Sequence, residues 1–312
     1  MLGNVATTPS MATNPTTCVL TKNSMREFAS VASDIAERGS IPGIQLAEAP
    51  SALEPQRKWR TPDQAKELDR LREMTANFSA AEIARCLQEF ADCAARAADC
   101  GFTAIQMHAA HGYFLSLLLN PDCNVRNDEY ALKEDWLESF VQTVRGRLSA
   151  SSLLSFRTSI YAGFSSELTE FDSTLALTKR LAGLDVDYID LSAGFYTIDR
   201  TLIYPVAGKD AKSELPYYGP ASTIARQIAK PIVFAGNLRD VRSLPPDMPD
   251  NLIVAAARAL IADPAFAEKS ARGAHDEVVG CDRNNECHYF TRGKQHIACG
   301  VNPQLGSPSH EY

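Results

Sequence analysis

The chain has 312 residues, of which 31 are basic and 38 acidic, so its formal net charge is −7. This acidic balance argues against a dedicated nucleic-acid-binding protein, which needs basic side chains to neutralise phosphates. No apolar run approaches the ~20 residues that span a bilayer, and residues 1–17 lack the pattern of a signal peptide. Eight cysteines are too few for a disulfide scaffold. Composition therefore predicts a soluble, cytoplasmic globular protein that interacts with neither nucleic acid nor membrane.

The apolar pattern predicts short strands that alternate with helices. Residues 1–24 are polar and offer little core material beyond a short candidate strand at 2–6, and the proline-containing residues 48–70 are typical of a long surface loop. Further strands are predicted at 41–46, 103–107, 153–158, 188–191, 232–235 and 252–256. Helices are predicted at about 79–100, 134–148, 172–184, 220–229 and 264–272.

This alternation indicates βαβ units and a parallel sheet, and the nearly continuous apolar character of the strands fits a sheet covered on both faces. A (β/α)8 TIM barrel is the leading architecture, because a barrel of roughly 250 residues fits within the chain. A doubly wound open sheet is the alternative, and periodicity alone does not separate the two.

Polar side chains follow the strand at 103–107, at the point where function sits in a parallel α/β barrel. His108, His111 and Tyr113 lie within six residues of one another. Two imidazoles and a phenol could donate hydrogen bonds to a carbonyl oxygen and a proton to a neighbouring carbon. The alternatives are two polar loop residues beside a packed tyrosine, or a zinc site, which lacks an obvious third ligand nearby.

Other candidate residues lie within or directly after later strands. Arg157 places a charge inside an apolar strand, which requires either a salt bridge or a ligand. Gly236 and Asn237 follow the strand at 232–235, and Arg258 follows the strand at 252–256. In barrels these last two loops often hold a phosphate with backbone N–H groups and one cation. Taken singly, the residues in these two loops are more often plain turn or surface residues.

The sequence resembles the old yellow enzyme family of FMN-dependent oxidoreductases. The strongest match is the stretch GFTAIQMHAAHGYFLS at 101–116, followed by Asn120-Pro121 and by NVRNDEY at 124–130. Further matches are found, in the same order as in the family, at Gln45-Leu46, Arg157, 187–192, Ala235-Gly236, Arg258, 262–264 and 299–303. The resemblance covers residues 41 to 303, and the paired-histidine segment is its most specific part.

The resemblance implies an FMN-binding barrel at 41–275, preceded by an N-terminal segment at 1–40 and followed by a cysteine-containing tail at 276–312. It implies that Gln45 meets the pyrimidine edge of the flavin and that Arg157 stabilises the negative charge of the reduced ring. It also implies that Gly236, Asn237 and Arg258 hold the phosphate.

The same resemblance assigns catalytic roles to the first cluster. His108 and His111 would bind the carbonyl oxygen of an activated alkene, and Tyr113 would protonate the α-carbon while the flavin delivers hydride to the β-carbon. NAD(P)H would reload the flavin from the same face that the substrate uses.

Several positions depart from the family pattern. Residues 2–5 resemble the family's second strand, so its first strand has no counterpart here, and we expect an open barrel edge that the N-terminal segment, a second copy or another partner covers. Glu48-Ala-Pro50-Ser51 replaces a His-x-Gly-Arg motif, 131–133 replaces a Gly-Gly-Ser motif, and Ala257 replaces a glycine beside the phosphate.

The C-terminal cysteines also differ from those of the iron–sulfur branch of the family. Cys281, Cys287 and Cys299 are present, but Asn284 stands where a fourth ligand is expected, and a cluster normally needs four thiolates. His288 could complete a zinc site, but the spacing favours reduced structural thiols.

We therefore expect an FMN-dependent oxidoreductase that acts on a C=C bond conjugated to a carbonyl of a small-molecule enone or ketone, by ene-reduction or by the reverse desaturation. The alternatives are a flavin-independent isomerase or cyclase on the same scaffold, and a non-catalytic partner subunit.

Overall fold

The protein is described by a computed structural model at residues 1–12, 17–49, 63–195, 215–287 and 297–305. A parallel sheet of seven strands forms its centre. The strands are β1 (Leu2–Ala6), β2 (Gly43–Ala47), β3 (Ala104–Ala109), β4 (Leu153–Ser159), β5 (Tyr188–Ser192), β6 (Ile232–Ala235) and β7 (Leu252–Ala255). Each strand pairs with the next along the chain.

The sequential strand order decides between the two predicted architectures. A doubly wound sheet reverses its strand order at a switch point, whereas the order here runs from β1 to β7 without reversal. The (β/α)8 TIM barrel is therefore the correct fold class. Within the described ranges no ladder joins β1 to β7, so the sheet has two edges and the barrel is incomplete.

Helices cover the outer face of this sheet. They are α1 (Met25–Glu37), α2 (Gln64–Asn77), α3 (Ala80–Asp99), α4 (Phe114–Leu119), α5 (Trp136–Arg145), α6 (Glu167–Ala182), α7 (Tyr218–Ala225), α8 (Arg258–Ala262) and α9 (Phe266–Ala271). The predicted capping box is present at the start of α3, where the side chains of Ser79 and Glu82 each accept a hydrogen bond from the other's backbone N–H. In the described part of the chain no helix is long and apolar enough to cross a bilayer.

Strand residues alternate between the helix-facing core and the barrel interior. On β2, the fully buried Ile44 and Leu46 belong to the same apolar cluster as Phe90 of α3. The intervening Gln45 instead donates a hydrogen bond to Gln106 of β3. Because side chains alternate along a strand, this pattern places polar groups inside the barrel, beneath the strand ends where function is expected.

Two expectations about the polar segments are wrong. The candidate strand at 2–6 is present as β1, but residues after it within the first 24 also contribute to the core, because Met11 and Leu20 are buried in the main apolar cluster. Residues 64–70 belong to the helix α2 rather than to a surface loop. This helix is polar overall and buries only a narrow stripe that includes Leu71 and Met74, so its amphipathic signal is weak. Residues 50–62 lie outside the described part of the chain.

Glu48, directly after β2, is a fully buried carboxyl group. The Thr7 hydroxyl donates a hydrogen bond to its Oε1, while Oε2 has no hydrogen-bond partner among the described residues. Burial, only partly offset by the Thr7 hydrogen bond, raises the pKa of Glu48 from 4.5 to about 8. The folded state therefore favours the protonated, neutral form of this side chain.

Glu48 should make stability fall with rising pH. The raised pKa favours folding below pH 4.5, and that contribution is lost as the pH rises through about 8. Between pH 5.5 and pH 7 we expect the free energy of unfolding to decrease by about 1.4 kcal/mol per pH unit, the value for one proton. Glu48→Gln should flatten this slope in urea titrations, whereas Glu27→Gln, at an exposed position of α1, should leave it unchanged. Equal slopes in the wild type and Glu48→Gln would rule out the assignment.

Candidate functional site

Three neighbouring strands bring polar residues together at their carboxyl ends. The register of the sheet aligns His108 of β3 with Arg157 of β4, and Arg157 with Asp190 of β5. His108 and Asp190 are buried, with 3% and 5% of their surface exposed. Because these residues are paired across adjacent strands, their side chains form one layer across the barrel interior.

A tight turn after β3 presents the second histidine. His111 and Gly112 both have left-handed backbone conformations, with φ of 64° and 86°. A Cβ atom at Gly112 would lie 2.9 Å from Cδ1 of Phe195, so both the conformation and the close approach require glycine here. This turn brings His111 back over the strand end and starts α4 after Tyr113.

The two histidines contact one another directly. Nδ1 of His111 lies 3.3 Å from Nε2 of His108, and Nε2 of His111 lies 2.9 Å from Oγ of Ser192. Burial lowers the pKa of both imidazoles well below 6.5. The His111 ring and the Arg157 charge lower the pKa of His108 further, and Arg157 also lowers the pKa of His111. Both rings are therefore neutral at physiological pH, and each carries one N–H donor.

The direction of these hydrogen bonds determines what His108 can offer a ligand. If the Ser192 hydroxyl donates to Nε2 of His111, then Nδ1–H of His111 donates to His108, and His108 must carry its own proton on Nδ1. That Nδ1 atom is buried and has no hydrogen-bond partner among the described residues. In this tautomer His108 holds an unused N–H donor, which is the group that a carbonyl oxygen needs.

Tyr113 completes this cluster. Its side chain is 2% exposed, and its ring centroid lies 4.6 Å from that of His108. Nδ2 of Asn4 donates to the phenolic oxygen at 3.4 Å. Sequence reasoning missed Asn4; its left-handed φ of 57° and the irregular pairing of β1 around it are features that only the structure shows.

Arg157 forms hydrogen bonds with two residues of the adjacent strand β5, Asp190 and Ser192. Its Nη1 donates to Oδ2 of Asp190 at 3.3 Å, and its Nη2 donates to Oγ of Ser192 at 3.0 Å. Ser192 therefore links the guanidinium to His111. The salt bridge that we considered is present, but Nε of Arg157 is buried without a partner among the described residues. The motif at 187–192 contributed Asp190 and Ser192 to the family resemblance, yet it suggested no role for either residue.

Gln45 reaches the same network from β2. Its Nε2 lies 2.6 Å from Oε1 of Gln106, and Nε2 of Gln106 donates to Oδ2 of Asp190 at 3.2 Å. The described hydrogen bonds therefore run from Gln45 through Gln106 and Asp190 to Arg157. Gln106 is another residue that sequence reasoning did not select.

The predicted phosphate-binding residues form a second group, after β6 and β7. Nη2 of Arg258 donates to Oδ1 of Asn237 at 3.3 Å, and its Nη1 donates to Oδ1 of Asn285 at 2.8 Å. Nδ2 of Asn237 is buried without a hydrogen-bond partner among the described residues. The backbone of Asn237, next to Gly236, is left-handed, with φ of 58°. Asn285 could not be found from the sequence, because it follows no strand.

The eight cysteines are all free thiols. Cys281 and Cys299 share a small apolar cluster with Ala262, and burial raises the pKa of Cys287. In the ranges that the structure describes, no three His, Cys, Asp or Glu side chains are arranged to hold a metal ion. His288 lies outside those ranges. That these cysteines are structural thiols stays a prediction.

Comparison with known proteins finds a family profile and relatives that match most of this chain. The sequence profile of the NADH:flavin oxidoreductase / NADH oxidase family matches residues 3–277. An NADH oxidase of Thermoanaerobacter brockii is 28% identical over 252 residues, which cover 75% of this chain and 36% of that protein. An NADPH dehydrogenase of Bacillus velezensis is 26% identical over 260 residues, which cover 80% of this chain and 72% of that protein.

A solved structure shares the fold. The crystal structure of Old Yellow Enzyme from Pichia sp. AKU4542 matches 98% of this chain and 80% of its own, with a TM-score of 0.67 at 14% sequence identity. In length, the chain spans little more than a third of the NADH oxidase that it matches.

The neutrality of the two histidines can be measured directly. We expect the imidazole ¹⁵N shifts of His108 and His111 to remain those of neutral rings well below pH 6.5, because burial disfavours their cations. The same spectra recorded in denaturant are the control, since unfolded histidines titrate near pH 6.5. A folded-state titration of either ring at that pH would contradict the buried, paired geometry.

Proposed function

Because this chain belongs to the NADH:flavin oxidoreductase / NADH oxidase family, we propose that it is an FMN-dependent oxidoreductase that reduces a C=C bond conjugated to a carbonyl group, with NAD(P)H as reductant. The names of the two relatives, NADH oxidase and NADPH dehydrogenase, support a nicotinamide reductant. The polar layer at the ends of β3 to β5 supports the carbonyl-directed chemistry.

The site fits FMN by its pattern of unsatisfied polar atoms. Buried polar atoms cost stability unless they find partners, and Nε of Arg157 and Nδ2 of Asn237 have none among the described residues. They lie near the carboxyl end of β4 and after β6, the edge of the barrel where a ligand binds. A planar heterocycle with polar edges and a phosphate group matches this set of donors.

Each group then has a distinct task in holding the cofactor. Gln45 would contact the pyrimidine edge, and Arg157 would lie where the reduced ring carries negative charge. The pair formed by Asn237 and Arg258, together with the backbone of Gly236, would hold the phosphate.

The reaction uses the first cluster of side chains. FMN, when bound, supplies the hydride that the β-carbon of the substrate receives. Neutral His108 donates its Nδ1–H to the carbonyl oxygen, and His111 adds a second hydrogen bond when the substrate oxygen replaces His108 as the acceptor of its Nδ1–H. Both stabilise the charge that develops on the oxygen. Tyr113, whose ring centroid lies 4.6 Å from that of His108, gives the α-carbon its proton. By microscopic reversibility, the same groups could desaturate a ketone if the flavin were supplied oxidised.

The single observation that carries this proposal is the hydrogen-bonded connection between the two halves of the site. Ser192 contacts both His111 and Arg157, at 2.9 Å and 3.0 Å. The carbonyl-binding pair and the cation for the reduced ring are therefore held in a fixed relation before any ligand binds, as catalysis by preorganised dipoles requires. The two segments that we expect to select the substrate are 48–70 and 195–216, and most of each, 50–62 and 196–214, lies outside the described residues.

A second candidate function, flavin-independent isomerisation or cyclisation of an enone, is favoured by one observation. His108, His111 and Tyr113 are assembled by β3 and the turn after it, whereas Asn237 and Arg258 follow β6 and β7. Acid–base chemistry could therefore proceed without a phosphate-bearing cofactor. Activity on an enone that survives complete removal of flavin would select this function over the first.

Replacing the proton donor should affect only one half of the redox cycle. In Tyr113→Phe, reduction of the bound flavin by NAD(P)H should proceed within a factor of a few of the wild-type rate. Its reoxidation by an enone such as 2-cyclohexenone should slow by about 10²-fold or more, because general-acid catalysis is lost. Anaerobic stopped-flow absorbance measures both half-reactions separately.

Tyr130→Phe, a tyrosine outside the barrel near Trp136, is the matched control and should change neither rate. Equal losses in the two half-reactions of Tyr113→Phe would show that Tyr113 shapes the site rather than donating the proton.

A further inference from the structure

Asp190 is a buried carboxyl group at the centre of the site that the proposed reaction does not use. It lies on β5, 5% exposed, beside Arg157 in the paired layer of the sheet. Its Oδ2 accepts hydrogen bonds from Arg157 at 3.3 Å and from Gln106 at 3.2 Å. Its Oδ1 is buried and accepts no hydrogen bond from the described residues. A carboxylate with one unsatisfied oxygen is expensive to bury, so an uncharged acceptor would suit the fold better.

The position of Arg157 does not depend on this carboxylate alone. Ser192 accepts a hydrogen bond from the other terminal nitrogen of the guanidinium, Nη2. A neutral side chain at position 190 with an acceptor oxygen could still receive the hydrogen bond from Nη1. A carboxylate at this position differs from such a neutral side chain in its negative charge.

This charge acts on the same region as the guanidinium. In the barrel interior the effective dielectric constant is lower than in water, so the field of each charge reaches the bound ring with little screening. Arg157 favours the reduced flavin, which gains two electrons and one proton and becomes an anion. A carboxylate 3.3 Å from the guanidinium opposes that effect. Burial raises the pKa of Asp190 above its ordinary value, and Arg157 and Gln106 offset only part of that rise. The ion pair with Arg157 is the contact that favours the charged form.

We propose that Asp190 is a positioning residue that orients Arg157 and offsets part of its charge, and thereby lowers the reduction potential of the flavin held beside them. The inference rests on the proposed function, because it requires FMN to bind at this site. A lower potential makes the reduced flavin a stronger hydride donor toward an unsaturated carbonyl compound. The carbonyl-binding histidines stay neutral throughout, so the pair formed by Arg157 and Asp190 sets the local charge.

The test is the midpoint potential of the FMN-loaded full chain, measured by anaerobic equilibration with a reference dye. Asp190→Asn keeps the shape and one acceptor oxygen but removes the charge. We expect its affinity for reduced FMN to increase relative to that for oxidised FMN by about tenfold. For a two-electron couple this ratio corresponds to a positive shift of about 30 mV.

The matched control is Asp187→Asn. Asp187 precedes β5 and forms an ion pair with Arg145, at the end of the strand opposite the site. Removing its charge therefore eliminates the same kind of ion pair away from the flavin, and the potential should not change. If Asp190→Asn yields no folded protein, the smaller neutral variant Asp190→Ser takes its place, with the same expected sign.

Each result has a defined meaning. A positive shift in the position 190 variant and none in Asp187→Asn supports the proposal. An unchanged or more negative potential overturns it, even if thermal stability or overall FMN affinity falls, because a purely structural role would weaken both oxidation states equally. Failure of the wild-type chain to bind FMN would instead contradict the proposed function.

Discussion

Placing the Arg157 guanidinium within an apolar strand costs solvation energy that only hydrogen-bonding partners can offset. The neighbouring strand supplies these partners, Asp190 and Ser192, at the positions that the parallel register brings alongside. Ser192 in turn contacts His111, and Asp190 is reached from Gln106. The requirement to satisfy one cation therefore organises the polar interior of β3 to β5, and the proposed chemistry uses groups that this requirement already holds in place.

Local sequence patterns predicted the strands well, because six of them are apolar runs bounded by polar turns, and they predicted which loops carry the functional side chains. The choice between barrel and doubly wound sheet depended on strand order, which is a property of long-range pairing. The same limit applies to the site. His108, His111 and Tyr113 could be selected because they are adjacent in sequence, whereas Asn4 reaches Tyr113, and Asp190 reaches Gln106 and Arg157, only through the pairing of strands. The helix α2 was missed because it buries few apolar side chains.

The incomplete barrel affects the two groups of site residues differently. The His108 layer lies on β3 to β5, with paired strands on both sides, whereas the phosphate-directed residues Asn237 and Arg258 follow β6 and β7, next to the sheet edge. Ile253 on β7 is accordingly 50% exposed. Strand edges and exposed apolar side chains favour association with a further strand or chain. Among the described residues, the carbonyl-directed half of the site thus lies between paired strands, and the phosphate-directed half lies next to a sheet edge.

The central claim is that the polar layer around Arg157 binds a flavin. The most direct measurement is a titration of the purified chain with FMN, followed by the quenching of flavin fluorescence, in the wild type and in Arg157→Met. We expect saturable binding of one FMN per chain in the wild type and an affinity at least about tenfold lower in the variant, the loss expected for one charge-assisted hydrogen bond. Unchanged fluorescence in the wild type, or equal affinities in the two proteins, would contradict it.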